Sequence, residues 1–290
     1  MLKSYLLATR PKTLPAAVVP VWVGCALSWE LTGILDCRLA AFTLLSALCI
    51  QIATNLFNDV IDDRKGADTA KRLGPRRVTV SGLLPRRAVY LAAFVFLVLA
   101  SLASLPLIEE RGWIIITIGV PSLYLSYGYT GGPFPLAYLG LGEVFVILFF
   151  GLVAVGGTVF VQTGEWFWPA GVIGLQVGLL SAVLIAINNL RDVEEDRRSG
   201  KKTLAVRFGS APVRWLTRVF VVVPFLLGFS GYQYDAHWLP VFSLSWVVVG
   251  IWSVEGVRRS PPGIRYNRYL AGAALQLVLF AVAFTAAVAI

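Results

Sequence analysis

Apolar runs of roughly 20 residues, the length that crosses a bilayer as a helix, recur along this chain between short polar stretches. By windowed hydropathy they fall at Leu14–Thr32, Leu39–Asp59, Ala88–Ile108, Trp113–Tyr129, Leu136–Val161, Trp166–Leu190, Trp215–Gly231, Trp238–Val257 and Tyr269–Ile290. The pattern predicts nine transmembrane helices. The longest polar stretches, Asp59–Arg87 and Arg191–Arg218, leave no room for a soluble domain, so residues 1–290 read as a single polytopic domain. The first run lacks an evident cleavage site and predicts a retained span rather than a signal peptide.

Composition agrees with the pattern. The chain is 57% hydrophobic and 14% charged, with mean hydropathy +0.75, where a soluble domain carries about 25% charged residues. Charge then sets orientation. All but Arg38 and Arg111 of the 25 lysines and arginines fall in alternate segments, beginning with the N-terminus. The positive-inside rule predicts a multi-pass protein of the cell inner or plasma membrane. Its N-terminus and both long polar stretches face the cytoplasm, and its C-terminus lies outside. The net charge of +9 is thereby explained, so no nucleic-acid partner is expected. Cys25, Cys37 and Cys49 have no metal spacing, and His237 is the sole histidine. These facts exclude a histidine-based metal centre or a Ser-His-Asp triad.

The candidate chemistry lies at two span ends. Asn55, Asn58, Asp59 and Asp62 fall on adjoining helix faces, related by steps of three and four, with Asp68 beyond a turn at Gly66. Asn188, Asp192 and Asp196 repeat the spacing at the end of the sixth run, which puts them on one helix face. Hard oxygen ligands suit Mg²⁺. Lys71, Arg72, Arg76, Arg77, Arg191, Lys201 and Lys202 supply cations beside them, so acids for a metal stand next to bases for a diphosphate. Each motif is followed by a basic loop with glycines. This positional repeat predicts two four-helix units plus a ninth helix around a central cavity. Glu143 lies inside an apolar run, where a carboxylate needs a partner or a polar cavity. Tyr124 and Tyr127, three apart on one face, are candidates to stabilise an allylic cation through their rings. A secondary transporter, which also keeps carboxylates in its spans, is the rival of a different class. Transporters place such groups near the midplane, whereas here they gather at one membrane face.

The runs Asn58-Asp59-x-x-Asp62-x-x-x-Gly66-x-Asp68, Arg72-Leu73-Gly74-Pro75-Arg76-Arg77-Val78-Thr79 and Asn188-Asn189-x-Arg191-Asp192-x-x-x-Asp196 resemble the UbiA superfamily of intramembrane aromatic prenyltransferases. Arg10-Pro11-Lys12-Thr13-Leu14-Pro15 and Tyr129-Thr130-Gly131-Gly132-Pro133 running into Gly142-Glu143 are similar to its 1,4-dihydroxy-2-naphthoate branch. The resemblance implies nine helices, Mg²⁺, a polyprenyl diphosphate donor and an aromatic acceptor. Within the class, 4-hydroxybenzoate and homogentisate are the alternative acceptors. It implies metal ligation by Asn58, Asp59, Asp62, Asp68, Asn188, Asp192 and Asp196, and diphosphate contacts from Lys71, Arg72, Arg191 and Lys201. Lys12 and Asn55 are the candidate acceptor contacts, and Asp62, Asp192, Glu143, Tyr124 and Tyr127 the candidate catalytic residues. The broader family pattern has an aspartate where Gly66 stands, and Asp68 is the substitute.

Overall fold

Eight helices of the computed structural model, which describes residues 2–68, 73–233 and 236–290, are long and apolar enough to span a bilayer. After a short α1 (Leu2–Ala8) come α2 (Pro15–Thr32), α3 (Cys37–Arg64), α4 (Arg86–Arg111) and α5 (Trp113–Gly128). The second half holds α6 (Gly142–Thr163), α7 (Trp168–Arg191), the short α8 (Val193–Arg198) and α9 (Leu204–Phe208), then α10 (Ser210–Gly231), α11 (Leu239–Arg259) and α12 (Tyr266–Val288). There is no β-strand among the described residues. This is an all-α, multi-pass membrane protein. The short apolar helix is α5: its 16 residues rise about 24 Å against a hydrocarbon core of about 30 Å.

The outer surface is what a bilayer requires. On α4, Leu91, Phe94, Val95, Val98 and Leu102 are exposed; a lipid solvent imposes no cost on them. Exposed Trp29, Trp113, Trp166, Trp168 and Trp238 gather at helix ends on one side, as an interfacial aromatic belt does. The interior is centred on α7, with 72% of its apolar window buried. There Gly174 and Gly178 let α6 approach at backbone distance: a Cβ on Gly151 would stand 2.3 Å from Gly174 O. At this crossing α6 leaves α-helical bonding, and residues 147–153 form a π-helix. α12 packs against α2, α7 and α11 and closes the bundle.

Helix boundaries differ from the sequence reading at the two motifs. α3 continues to Arg64, so Asp59 and Asp62 lie within its last turns. α7 ends at Arg191 with Asp192 as its C-cap, and Asp196 belongs to α8. The spacing survives the break, because Asp192 N donates to Asn188 O at 3.1 Å and Asp196 N to Asp192 O at 2.8 Å.

Candidate active site

Polar residues on the inner faces of α3 and α7 converge on a cavity of about 180 Å³. From α3 come Gln51, Thr54, Asn55, Asn58 and Asp62, and from α7 Ser181, Asn188 and Asn189. Three loops cover it. Asp59 binds the first: its carboxylate accepts from Val78 N at 3.2 Å and Thr79 N at 3.1 Å, and also from the Thr79 hydroxyl. Lys202 N donates to Tyr138 O at 3.2 Å and joins the loop after α5 to the loop after the second motif.

The two acidic motifs face each other across this mouth. Lys201 Nζ lies 3.8 Å from Asp62 Oδ2 and 3.8 Å from Asp196 Oδ1. Asp62 also accepts from the Tyr138 hydroxyl at 2.9 Å and has Arg77 at 3.9 Å. Burial, with Asp62 close by, raises the Tyr138 hydroxyl above the ordinary phenol range, so it stays protonated and donates. Burial lowers Lys65 below the usual lysine range, Asp62 opposing the shift and Lys201 adding to it. Lys65 Nζ stands 3.9 Å over the Tyr138 ring and donates to Thr130 O at 2.8 Å. The Thr130 hydroxyl donates to Asn58 Oδ1.

In the second motif the organiser is Arg191, a buried guanidinium. Its Nε and Nη2 fork onto both oxygens of Asp192 at 2.7 and 2.6 Å, Nη2 also reaches Asn188 Oδ1 at 2.7 Å, and Nη1 reaches Asn267 Oδ1 at 2.8 Å. Asn267 Nδ2 donates in turn to Leu73 O at 2.9 Å, tying the loop after the first motif to the second. Deeper in the cavity, Asn189 Nδ2 donates to Glu143 Oε1 at 3.0 Å. The other oxygen, Oε2, is buried and has no hydrogen-bond partner among the described residues.

Several expected roles move. Tyr124 and Tyr127 are 56% and 38% exposed. They extend the outward stripe of Trp113, Ile116 and Val120, while Ile115, Ile118, Gly119, Ser122 and Ser126 on the same helix face inward. Neither tyrosine lines the polar cavity or the apolar one beside it, whereas Tyr129 lines the polar one. Lys12 is exposed and Arg10 lines the cavity, donating to Asn55 O at 3.2 Å. Arg10 is also the one described non-glycine residue with positive φ, 52°, a strain that surrounding contacts must sustain. Asn55 lines the cavity and holds the N-terminal segment through Thr9 O and Thr13 Oγ1. Asp59 turns to its loop. Asp68 pairs with Arg77 at 2.7 Å and stands behind it rather than on the cavity wall. Arg191 spends its donors on protein groups. Lys71 and Arg72 lie outside the described residues. Sequence reasoning missed Tyr138, Asn189 and Asn267, which carry no spacing signal, and Arg10, whose pairing with a polar helix face was there to find.

Among the described residues no three carboxylates, cysteines or histidines cluster as a ready metal cage. The donors are nonetheless of the right kind. Mg²⁺ uses one or two carboxylates and completes its octahedron with water and phosphate oxygens. Asn58, Asp62, Asn188, Asp192 and Asp196 offer such oxygens, and Asp62 and Asp196 already share the Lys201 cation.

The second cavity, again about 180 Å³, adjoins the first and runs between α3, α5 and α6. Most of its serines and threonines return their hydroxyl protons to helix carbonyls one turn back, as Thr43, Thr54, Ser104, Ser122 and Thr158 do. Such a wall is effectively apolar. A polar, charge-lined mouth that opens into an apolar chamber within a membrane bundle defines a site for an amphiphile with an anionic head.

The comparisons agree. The model of the UbiA prenyltransferase family matches residues 17–276, and the chain belongs to this family. It is 32% identical to the 1,4-dihydroxy-2-naphthoate octaprenyltransferase of Mycobacterium leprae, over 98% of this chain and 95% of that one. Against the Escherichia coli protein of the same description it is 36% identical, over 73% and 70%. The fold matches a UbiA homologue from Archaeoglobus fulgidus, solved with DMAPP and Mg²⁺, at a TM-score of 0.70, with 16% identity and 99% of each chain covered.

Proposed function

We propose that this protein transfers a polyprenyl group from polyprenyl diphosphate to 1,4-dihydroxy-2-naphthoate, with loss of CO₂, giving demethylmenaquinol in menaquinone synthesis. One observation carries the reading: two acidic motifs, distant in the chain, meet around Lys201 at the mouth of a cavity that becomes apolar inward. The acceptor follows from the 1,4-dihydroxy-2-naphthoate octaprenyltransferases to which the chain is similar. α5 serves as the ninth crossing, the site opens to the cytoplasm, and the protein resides in the cell membrane, as the basic-residue asymmetry supports.

Asn58, Asp62, Asn188, Asp192 and Asp196 would hold Mg²⁺ on the diphosphate, which when bound neutralises the charge of the leaving group. Lys201 and Arg77 add positive charge at the same place. Arg191 fixes the orientation of Asp192 and Asn188, and Tyr138 that of Asp62. The donor's C1–O bond breaks with its electron pair leaving on the diphosphate. The acceptor carbon that bears the carboxylate attacks C1. The bond to the carboxylate then breaks, CO₂ departs, and its electron pair restores the aromatic ring. Glu143 Oε2 accepts a hydrogen bond from an acceptor hydroxyl, which orients the ring and raises its electron density as the new bond forms.

The test is diphosphate release by the purified protein supplied with both substrates. The reading requires release that depends on the acceptor and a divalent ion, and that is lost in Asp62→Ala. Release untouched by exhaustive chelation would overturn the metal requirement, and no release under any of these conditions would favour a transporter.

A further inference from the structure

The two chambers share a waist, and the aromatic rings there are those the tyrosine assignment failed to supply. Five residues line both chambers: Ala16, Gln51, Thr54, Phe145 and Phe150. Phe145 sits against Phe149 in a stacked pair at 4.7 Å, against Phe150 edge-on at 6.4 Å, and against Tyr129 at 5.2 Å. The π-helix at 147–153 lies at this point. Residues five apart on an α-helix diverge around the axis, whereas i→i+5 bonding brings them over one another, so the bulge lets Phe145 and Phe150 front the same space. Its position is fixed from behind. Gly151 abuts Gly174 O and Gly178, with Cβ distances of 2.3 and 2.7 Å, so α6 cannot rotate to carry the rings away.

We infer that Phe150, together with Phe145, forms an aromatic collar that encloses C1 of the prenyl donor as it ionises, stabilising the allylic cation and keeping water from it. This rests on the proposed prenyl transfer. C1 is one bond from the diphosphate oxygen and one bond from the chain, so it lies where the polar chamber gives way to the apolar one. Ring faces carry negative quadrupole density toward a cation, and the attraction grows when water is excluded. The cation has two fates. Attack by the acceptor carbon gives the prenylated product. Attack by water, with the extra proton released to solvent, gives the free prenol. The collar biases this partition toward transfer.

The experiment measures both products from purified protein with prenyl diphosphate, 1,4-dihydroxy-2-naphthoate and Mg²⁺, for wild type, Phe150→Leu and Phe150→Tyr. Phe150→Leu is expected to slow transfer about tenfold, the worth of one desolvated ring, and to raise the share of donor that ends as prenol several-fold. Phe150→Tyr, which keeps the ring, retains the wild-type partition. Should Phe150→Leu fail to fold in detergent, Phe145→Leu carries the same test. A leucine variant with wild-type rate and prenol share overturns the inference, and so does one that slows with an unchanged share, since that is a packing defect. Absence of any transfer by the wild type sinks the proposed function itself and is thereby distinguishable from failure of the collar.

Discussion

Replacing Arg191 separates its role in the structure from the diphosphate contact that its charge and position suggest. The guanidinium makes four hydrogen bonds, three of them to Asp192 and Asn188 within the motif and one to Asn267. The side chain is fully buried. Arg191→Met preserves bulk and removes all four. Each hydrogen bond to a charged group is worth about 1.5–3 kcal/mol. Removing one partner of a buried pair costs about 3–5 kcal/mol, because the remaining charge loses its compensation. A loss of about 3–5 kcal/mol is therefore expected, read as a lower melting temperature in detergent. Turnover should fall by about 10²-fold or more, since a misplacement on the order of 1 Å in a reacting geometry has that effect. Arg191→Lys keeps the charge, but a single ammonium cannot reproduce the planar fork, so most of both losses should persist. Thermal unfolding and steady-state turnover on the two variants decide the matter. A lysine variant with wild-type stability and turnover would refute the positioning role. A methionine variant with unchanged melting but a raised KM for the donor would restore the direct diphosphate contact.

Asp62→Ala removes the carboxylate that Tyr138 and Lys201 share. It should lose at least about 10²-fold in turnover, the scale of one electrostatic stabiliser, while still folding; activity within a few-fold of wild type would contradict the assignment. Glu143→Gln should slow transfer and weaken acceptor use while donor affinity stays near wild type, whereas equal losses in both, with lowered melting, would mark a structural residue. Gly151→Ala forces a Cβ against Gly174 O and should destabilise the bundle by about 1–3 kcal/mol or more, as overpacking does; a wild-type melting temperature would mean that α6 and α7 part easily.

Much of this was legible in the sequence. Steps of three and four placed Asn55, Asn58 and Asp62 on one face, and alternation of basic loops put both motifs at the same membrane side. The tyrosines were misread because spacing alone does not say which face of α5 looks inward. The stripe of Trp113, Ile116 and Val120 continuing into Tyr124 and Tyr127 held that information, because lipid accepts large apolar side chains and the cavity side is marked by Gly119, Ser122 and Ser126. The role of Arg191 was hidden by adjacency: a residue next to Asp192 in sequence reaches it only because α7 ends between them. The π-bulge left no periodic trace. Its signal was the glycines, Gly151 opposite Gly174 and Gly178, whose pairing across helices a single sequence does not display. Asp59 looked like a ligand by type and spacing, and only the fold of the loop at Val78 and Thr79 shows where its oxygens go.

The central claim is that the two acidic motifs and the chamber behind them carry out decarboxylative prenylation. Its most direct test is the mass of the product formed by the purified protein from a polyprenyl diphosphate and 1,4-dihydroxy-2-naphthoate with Mg²⁺. The expected product has gained the prenyl group and lost CO₂, and forms in step with diphosphate. Intact substrates, or a prenylated product that retains the carboxylate, would contradict it.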